Sequence, residues 1–372
     1  MAPNNPFLIE GYVSPEYFCD RAEETALLTR HLTNGCNVAL MAPRRLGKSG
    51  LILNCFSQQE VREGYYTVFV DIYETKNLSE FVYVLGKEIL AALRTRGRSA
   101  WEGFIGILKS VQSTISFDIN GNPEWTLGLG DVSNPDVTLD EIFSYLSRAD
   151  RPCLVAIDEF QTIATYPEKT VEAALRTRIQ RCHNAHFVFS GSKRHMMAQM
   201  FASGSRPFYN SSVIMGLEPI RQDVYLDFAN HHLASASKSI SREGFDYLYN
   251  AYDGITWYVQ YILNMLYTRP SRGVFGQEDV EAVIREILSQ HNFAYQALLY
   301  QLTPKQKQVL TAIAREGKAT QLMSQAFLLR HHLGSSTVQA ALKALADRDF
   351  IVQEDGVCQL ADRFFAQWVK TR

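Results

Sequence analysis

Residues 36–53 read Cys-Asn-Val-Ala-Leu-Met-Ala-Pro-Arg-Arg-Leu-Gly-Lys-Ser-Gly-Leu-Ile-Leu. An apolar run, Val38 to Met41, leads into a loop ending Gly47-Lys48-Ser49, and a new apolar-periodic segment follows. Strand, loop and helix in that order are what a phosphate-binding P-loop requires. The loop residues Ala42, Pro43, Arg44, Arg45, Leu46 and Gly47, with Lys48, Ser49 and Gly50 opening the helix, would cradle a nucleotide's phosphates. Backbone N–H groups there would face the β-phosphate. Lys48 would bridge the β- and γ-phosphates, and the Ser49 hydroxyl would be a Mg²⁺ ligand. The full pattern wants glycine where Ala42 stands, and alanine serves only if that residue keeps negative φ.

A second stretch completes the chemistry. Pro152–Gln161 reads Pro-Cys-Leu-Val-Ala-Ile-Asp-Glu-Phe-Gln, an apolar strand ending in two acids. Such acids at the end of a buried strand are costly unless a cation or hydrogen bonds compensate. Paired with Lys48, this reads as a Walker B strand: Asp158 would hold Mg²⁺ through its water shell, and Glu159 would orient and polarise the attacking water.

Around these two anchors the chain alternates. Phe18-Cys19-Asp20-Arg21-Ala22-Glu23-Glu24 opens the first helix, with Asp20 and Glu23 as a capping box; its place before the P-loop suggests that this segment lies against the adenine. Tyr65–Tyr73 reads as a buried parallel strand, with Asp71 capping the following turn in preference to reaching the nucleotide. A helix is expected from about Ser79 to Leu93. Thr138 and Glu141 form a second capping box. The strand His186–Phe189 ends in Ser190-Gly191-Ser192, where Ser192 or Ser190 could sense a γ-phosphate. Arg194 and Arg206, on loops downstream, are candidates to reach a phosphate. Strand and helix in alternation call for an α/β doubly wound sheet with ligand at the strand C-termini. Residues 96–136 interrupt it: a helical stretch from Trp101 to Val111, then a hairpin of 114–118 and 124–129 about Asn120-Gly121. This reads as a surface insertion of unassigned chemistry.

The alternation stops near Leu217. From Arg221 to about His291 the periodicity is helical throughout, predicting a small all-α unit in which Asp253-Gly254-Ile255-Thr256-Trp257 breaks one helix and starts the next. Helices follow from Thr303-Pro304 to Ala314, over Gln321–Leu329, and from Gly334-Ser335-Ser336-Thr337 to Leu345. A hairpin of 350–353 and 357–360 turning at Glu354-Asp355-Gly356 then completes a winged helix-turn-helix, whose third helix would be offered to a major groove. The expected division is residues 1–217, 218–294 and 295–372. Acids at 347, 349, 354 and 355 offset Lys305, Lys307, Lys318, Arg330, Lys343 and Arg348, so DNA contact and docking on protein both stay open for the winged helix.

Bulk numbers exclude little beyond this. At 372 residues the chain is too long for one ordinary core. A formal charge of −2 makes no global claim on nucleic acid or membrane. Six scattered cysteines without CxxC spacing predict reduced thiols. The histidine pairs His231-His232 and His331-His332 lack companions at ligand spacing, so no metal site is expected from them. No apolar run reaches ~18 residues, and Met1-Ala-Pro-Asn-Asn-Pro lacks the marks of a signal peptide, so a cytoplasmic protein without a membrane partner is expected. Nothing in the sequence sets the oligomeric state.

Taken together, Phe18–Glu24, Ala42–Ser49, Ala156–Gln161, Phe189–Ser192 and Asp253–Thr256 resemble the archaeal-type ATPase family, in the signal-transducing (STAND) branch of the AAA-related P-loop ATPases. The resemblance spans essentially the whole chain: ATPase core, helical lid, winged helix. It implies a sheet in which the strand ending at Ser190 lies between the two Walker strands, and ATP with Mg²⁺ as ligand. It also implies Phe18 and Arg21 beside the nucleotide. The chain departs from the family at Ala42, at Thr256 (where a proline is usual) and after Pro207-Phe208-Tyr209-Asn210, where the usual arginine is missing. The function expected is a nucleotide-controlled switch with slow ATPase turnover. The alternatives are a DNA-binding ATPase of the origin-recognition or transposition-helper kind, and a nucleotide-binding scaffold without turnover.

Overall fold

The computed structural model describes residues 3–111, 115–118, 121, 123–125 and 132–372. Their contacts group into two units: Met1–Phe228 with Gly254–Tyr261, and Ala229–Asp253 with Ile262–Arg372.

The first unit carries strands β1 (Val38–Met41), β2 (Tyr66–Asp71), β3 (Ile115–Phe117), β4 (Pro123–Trp125), β5 (Cys153–Asp158), β6 (Ala185–Gly191) and β7 (Val213–Gly216). Five of them form one parallel sheet in the order β2-β5-β6-β1-β7. β6 therefore lies between β1 and β5, where the resemblance placed it. Successive residues of a strand face opposite sides, and β1 shows the result. Ala39 and Met41 join one apolar cluster with Leu85, Ile142, Leu175 and Met197, while Val38 and Leu40 join another with Leu28, Leu51 and Val61. Helices thus cover both faces, which is why β1 and β5 are apolar at every position up to Asp158. The helices Leu78–Arg94, Pro135–Arg148, Val171–Arg181 and Arg194–Ala202 lie on one side. Ala22–Thr33, Lys48–Ser57 and Gln59–Gly64 lie on the other.

Two expected caps are corrected. The first helix starts at Ala22 with Arg21 at its N-cap in the left-handed region (φ 63°), and no side chain caps it. Asp20 is itself left-handed (φ 53°), which takes it out of the extended conformation an N-cap uses. The helix expected to start at Thr138 starts at Pro135, with the Asn134 side chain accepting from the Val137 N–H; proline at the first position suits a start there. Asp71 caps its turn as expected, accepting from the Tyr73 N–H at 2.9 Å.

In the 96–136 stretch the helix runs Arg98–Ile107 and β3 pairs antiparallel with β4. Thr114, Asn120 and residues 126–129 of the expected hairpin lie outside the described residues. Trp125 packs its ring on Gly86 of the helix Leu78–Arg94.

The second unit holds the helices Arg242–Ala251 and Gln277–Gln290. The stretch expected to be wholly helical also contains a three-residue parallel ladder, β8 (Lys238–Ile240) with β9 (Gly273–Phe275). After the helix Asn292–Tyr300, Thr303 and Gln306 make a capping box for Pro304–Glu316. Gln325–Arg330 and Ser335–Asp347 follow. The wing is an antiparallel sheet of β10 (Ala319–Thr320), β12 (Val357–Leu360) and β11 (Ile351–Glu354) in that order. Its tight turn uses Asp355 and Gly356, both at positive φ, the geometry a two-residue hairpin loop demands. A last helix, Arg363–Lys370, buries Phe364, Phe365, Trp368 and Val369.

Candidate functional site

At the C-terminal end of β1 the chain turns through Ala42–Gly47 into the helix Lys48–Ser57. Ala42 is fully buried and is not among the residues at positive φ, so its methyl group fits the position where the usual pattern has glycine. The left-handed residues of the loop are Arg45 (φ 69°) and Gly47 (φ 99°). Glycine adopts that conformation freely; arginine does so at a cost. Arg45 is held there from several sides. Its carbonyl accepts from the Trp257 N–H at 3.1 Å, and its guanidinium lies 4.3 Å from the Trp257 ring centre and donates to the Tyr258 hydroxyl. One residue on, the Leu46 carbonyl accepts from the Thr256 hydroxyl at 3.3 Å and from the Arg21 guanidinium at 3.4 Å.

Lys48, 6% exposed, folds its side chain back over the loop and donates to the Ala42 and Pro43 carbonyls at 3.0 and 3.1 Å. Ser49 donates its hydroxyl proton to Asp158 Oδ2 at 2.6 Å. The other carboxylate oxygen of Asp158 accepts from the Glu159 N–H at 3.0 Å. The two Walker elements, 109 residues apart in sequence, therefore meet through their polar side chains. Glu159 sits in the left-handed region (φ 55°) just past β5. Its Oε2 accepts from Ser192 at 2.7 Å and from the Gln161 amide. Ser192 thus bonds the acid that follows β5, whereas the Ser190 hydroxyl is buried without a hydrogen-bond partner. At Gly191 any side chain would collide with Gln161 and Met197, since an added Cβ would lie 2.4 Å and 2.5 Å from them. Burial, then the charges of Asp158 and Glu159, push the Asp71 carboxyl above its ordinary value.

A cleft of about 300 Å³ opens on this loop. Arg44 through Gly50 and Glu159 line it at the loop end; Leu8, Ile9, Tyr12, Tyr17, Phe18, Arg21, Ile220, Trp257 and Gln260 are among the residues lining the remainder. Phe18 lies over the start of the P-loop helix, its ring 3.0 Å from where a Cβ on Gly50 would be. Tyr12 is set edge-on to Phe18 and bonded to Asn54 at 2.9 Å. Phe18 and Arg21 are therefore in the cleft with the loop. Arg194 and Arg206 do not line it. Arg206 makes an ion pair with the buried Glu172, and Arg194 opens the helix Arg194–Ala202. Sequence reading missed Gln161, Trp257 and Gln260 as site residues. For Gln161 there was a signal, two positions beyond Glu159. For Trp257 and Gln260, some 210 residues from the loop, there was none.

The family model described as "Probable winged helix domain" matches residues 293–371. Comparison with curated proteins gives no match. Solved structures match over almost the whole chain. A Walker-type ATPase of Pyrococcus abyssi aligns at TM-score 0.65 and 17% identity, covering 98% of this chain and 99% of that one. The ORC2 protein of Aeropyrum pernix, in ADPNP–ADP complexes, aligns at 0.59 and 15%, over 98% and 96%. The ORC1 protein of the same organism, in complex with DNA, aligns at 0.52 and 12%, over 98% and 96%. At these identities the likeness is one of fold. The chain has the α/β P-loop NTPase fold, with a parallel central sheet, a helical lid and a C-terminal winged helix-turn-helix domain.

Proposed function

We propose that this protein binds ATP with Mg²⁺ in the cleft over Ala42–Gly50 and hydrolyses it slowly, as a nucleotide-controlled switch of the STAND kind acting in the cytoplasm. The observation that carries this reading is the 2.6 Å hydrogen bond between Ser49 and Asp158, with Lys48 folded over the same loop. These hard oxygen donors suit Mg²⁺, which would supply charge neutralisation between the phosphates. Ser49 and Asp158 would hold it. Lys48 would exchange its loop carbonyls for phosphate oxygens. Glu159 would take the proton of the attacking water, once released from Ser192 and Gln161. Those two donors support a role for Ser192 in coupling the end of β6 to hydrolysis. Arg44, whose guanidinium lies 5.5 Å from the Tyr73 ring centre, lines the cleft and would turn to phosphate; Arg194 and Arg206 are proposed only as contacts that form in another state.

Switching requires that nucleotide favour one arrangement of core (1–217), lid (218–294) and winged helix (295–372) over another. A ~100-fold preference shifts that balance by about 2.7 kcal/mol. Calorimetry and phosphate release on purified protein test the reading. Lys48→Ala is expected to abolish Mg-ATP binding, and Glu159→Gln to keep binding while losing turnover. Parent-level hydrolysis by Glu159→Gln would overturn the mechanism. ATP bound with no release above background would leave the non-hydrolysing scaffold instead.

A second reading, an ATPase working on duplex DNA, is favoured by one observation: a fold neighbour over 98% of the chain is the ORC1 protein of Aeropyrum pernix in complex with DNA.

A further inference from the structure

One polar group in the cleft has no task in phosphate chemistry. Gln260 lies on the helix Thr256–Thr268, one turn beyond the residues that hold Leu46 and Arg45. It is only 6% exposed, it lines the cleft, and its carboxamide oxygen is buried without a hydrogen-bond partner. A buried carboxamide oxygen without a partner is a destabilising feature that a folded chain rarely retains. The cleft that Gln260 lines also presents apolar residues, Leu8, Ile9, Phe18, Ile220 and Trp257. Tyr12, Tyr17 and Arg21 line the same cleft, and an apolar wall with a few convergent polar groups is how proteins hold and orient a flat heterocycle.

We propose that Gln260 reads the base and sets the preference for adenine over guanine. The proposal rests on the nucleotide-binding reading above and adds a specificity residue to it. A carboxamide presents one acceptor and one N–H₂ donor side by side. Adenine's edge presents the complement, the N6 amino donor beside an acceptor ring nitrogen, and glutamine pairs with it through two hydrogen bonds. Guanine fits this wall poorly. Its N7 and O6 are both acceptors, and pairing through its N1–H would leave the N2 amine in want of an acceptor. The carboxylate lining the cleft is Glu159, which Ser192 and Gln161 already engage.

The test is calorimetry on the full chain with ATP, GTP and inorganic tripolyphosphate, each with Mg²⁺. The wild type is expected to prefer ATP over GTP by about tenfold to a hundredfold, the discrimination of one well-made bidentate pair. Gln260→Leu is expected to lose most of that preference while binding tripolyphosphate as before. Gln260→Met keeps the length of the side chain and serves if the leucine variant does not fold. An unchanged ATP-to-GTP ratio in either folded variant overturns the inference and leaves the ATPase reading intact, as does a wild type that binds the two alike. A wild type that binds neither nucleotide nor tripolyphosphate overturns both.

Discussion

Ala42 shows how one residue can depart from a motif without departing from its geometry. Its neighbours Arg45 and Gly47 take the left-handed positions of the loop, so position 42 has no need of glycine's freedom. Ala42→Gly is expected to leave ATP affinity within about twofold and to lower stability by about 1 kcal/mol, from the lost methyl and the added freedom of the unfolded chain. Calorimetry and denaturant titration check both. A large loss of affinity would mean that the methyl itself shapes the phosphate site. The same scale shows where sequence reading stops. Lys48, Ser49 and Asp158 were legible because each follows an apolar strand at fixed spacing. Gln161 was half legible, since it adjoins Glu159 but its bond depends on a carboxylate turned by a left-handed backbone. Gln260 and Trp257 were not legible as site residues, because a helix periodicity shows which side is buried and not which distant loop it meets. Arg206, met in sequence as a free loop cation, is occupied by Glu172.

Among the elements, the strands β1, β5 and β6, buried on both faces, declared themselves by apolar runs; β2 falls where its run lies, but it is an edge strand whose alternate residues are only partly buried, not the fully buried strand expected. β7 did not declare itself: four residues with Ile214 half exposed carry no such pattern. The wing's hairpin was readable from Asp355-Gly356, yet β10, two residues long, was not. Asn134 and Pro135 outcompeted Thr138 because a helix starts where the first satisfied cap allows, and Thr138 instead spends its hydroxyl on the Asn134 carbonyl. The hairpin of β3 and β4 owes its place to packing. An added Cβ on Gly86 would lie 2.4 Å from the Trp125 ring, far inside contact distance. Gly86→Ala is expected to cost about 1–3 kcal/mol, as overpacking does, and to increase Trp125 exposure. Thermal unfolding and fluorescence quenching read the two effects. A variant as stable as the parent, with Trp125 still shielded, would show that the hairpin is not seated through this contact.

For the whole molecule, charge argues for weak hold on duplex DNA. Several cations of the winged helix are engaged within the fold: Arg330 with Glu316 at 2.7 Å, Lys318 with Asp253 at 2.6 Å, and Arg348 with the Gln301 carbonyl at 3.1 Å. Each of these contacts must be given up before its cation can replace a counterion, so any duplex affinity is expected to fall with salt at a log–log slope of only about −1 to −3. A filter-binding titration from about 50 mM salt upward measures it. No binding at the lowest salt removes the duplex-working reading, and a slope near −6 or steeper would show a basic surface that the winged helix alone does not supply. Among the described residues no helix is long and apolar enough to cross a membrane. The pairing of β1 bears on how the molecule is made. Its partners are β6 and β7, whose residues come some 150 and more positions later, and closing such long loops slows folding. On the ribosome the phosphate loop is thus translated early and completed late: until the chain has emerged past Gly191, Val38–Met41 has no strand to lie against, and its second neighbour follows only at Gly216. A nascent chain stalled before Gly191 would carry the motif without a scaffold to shape it.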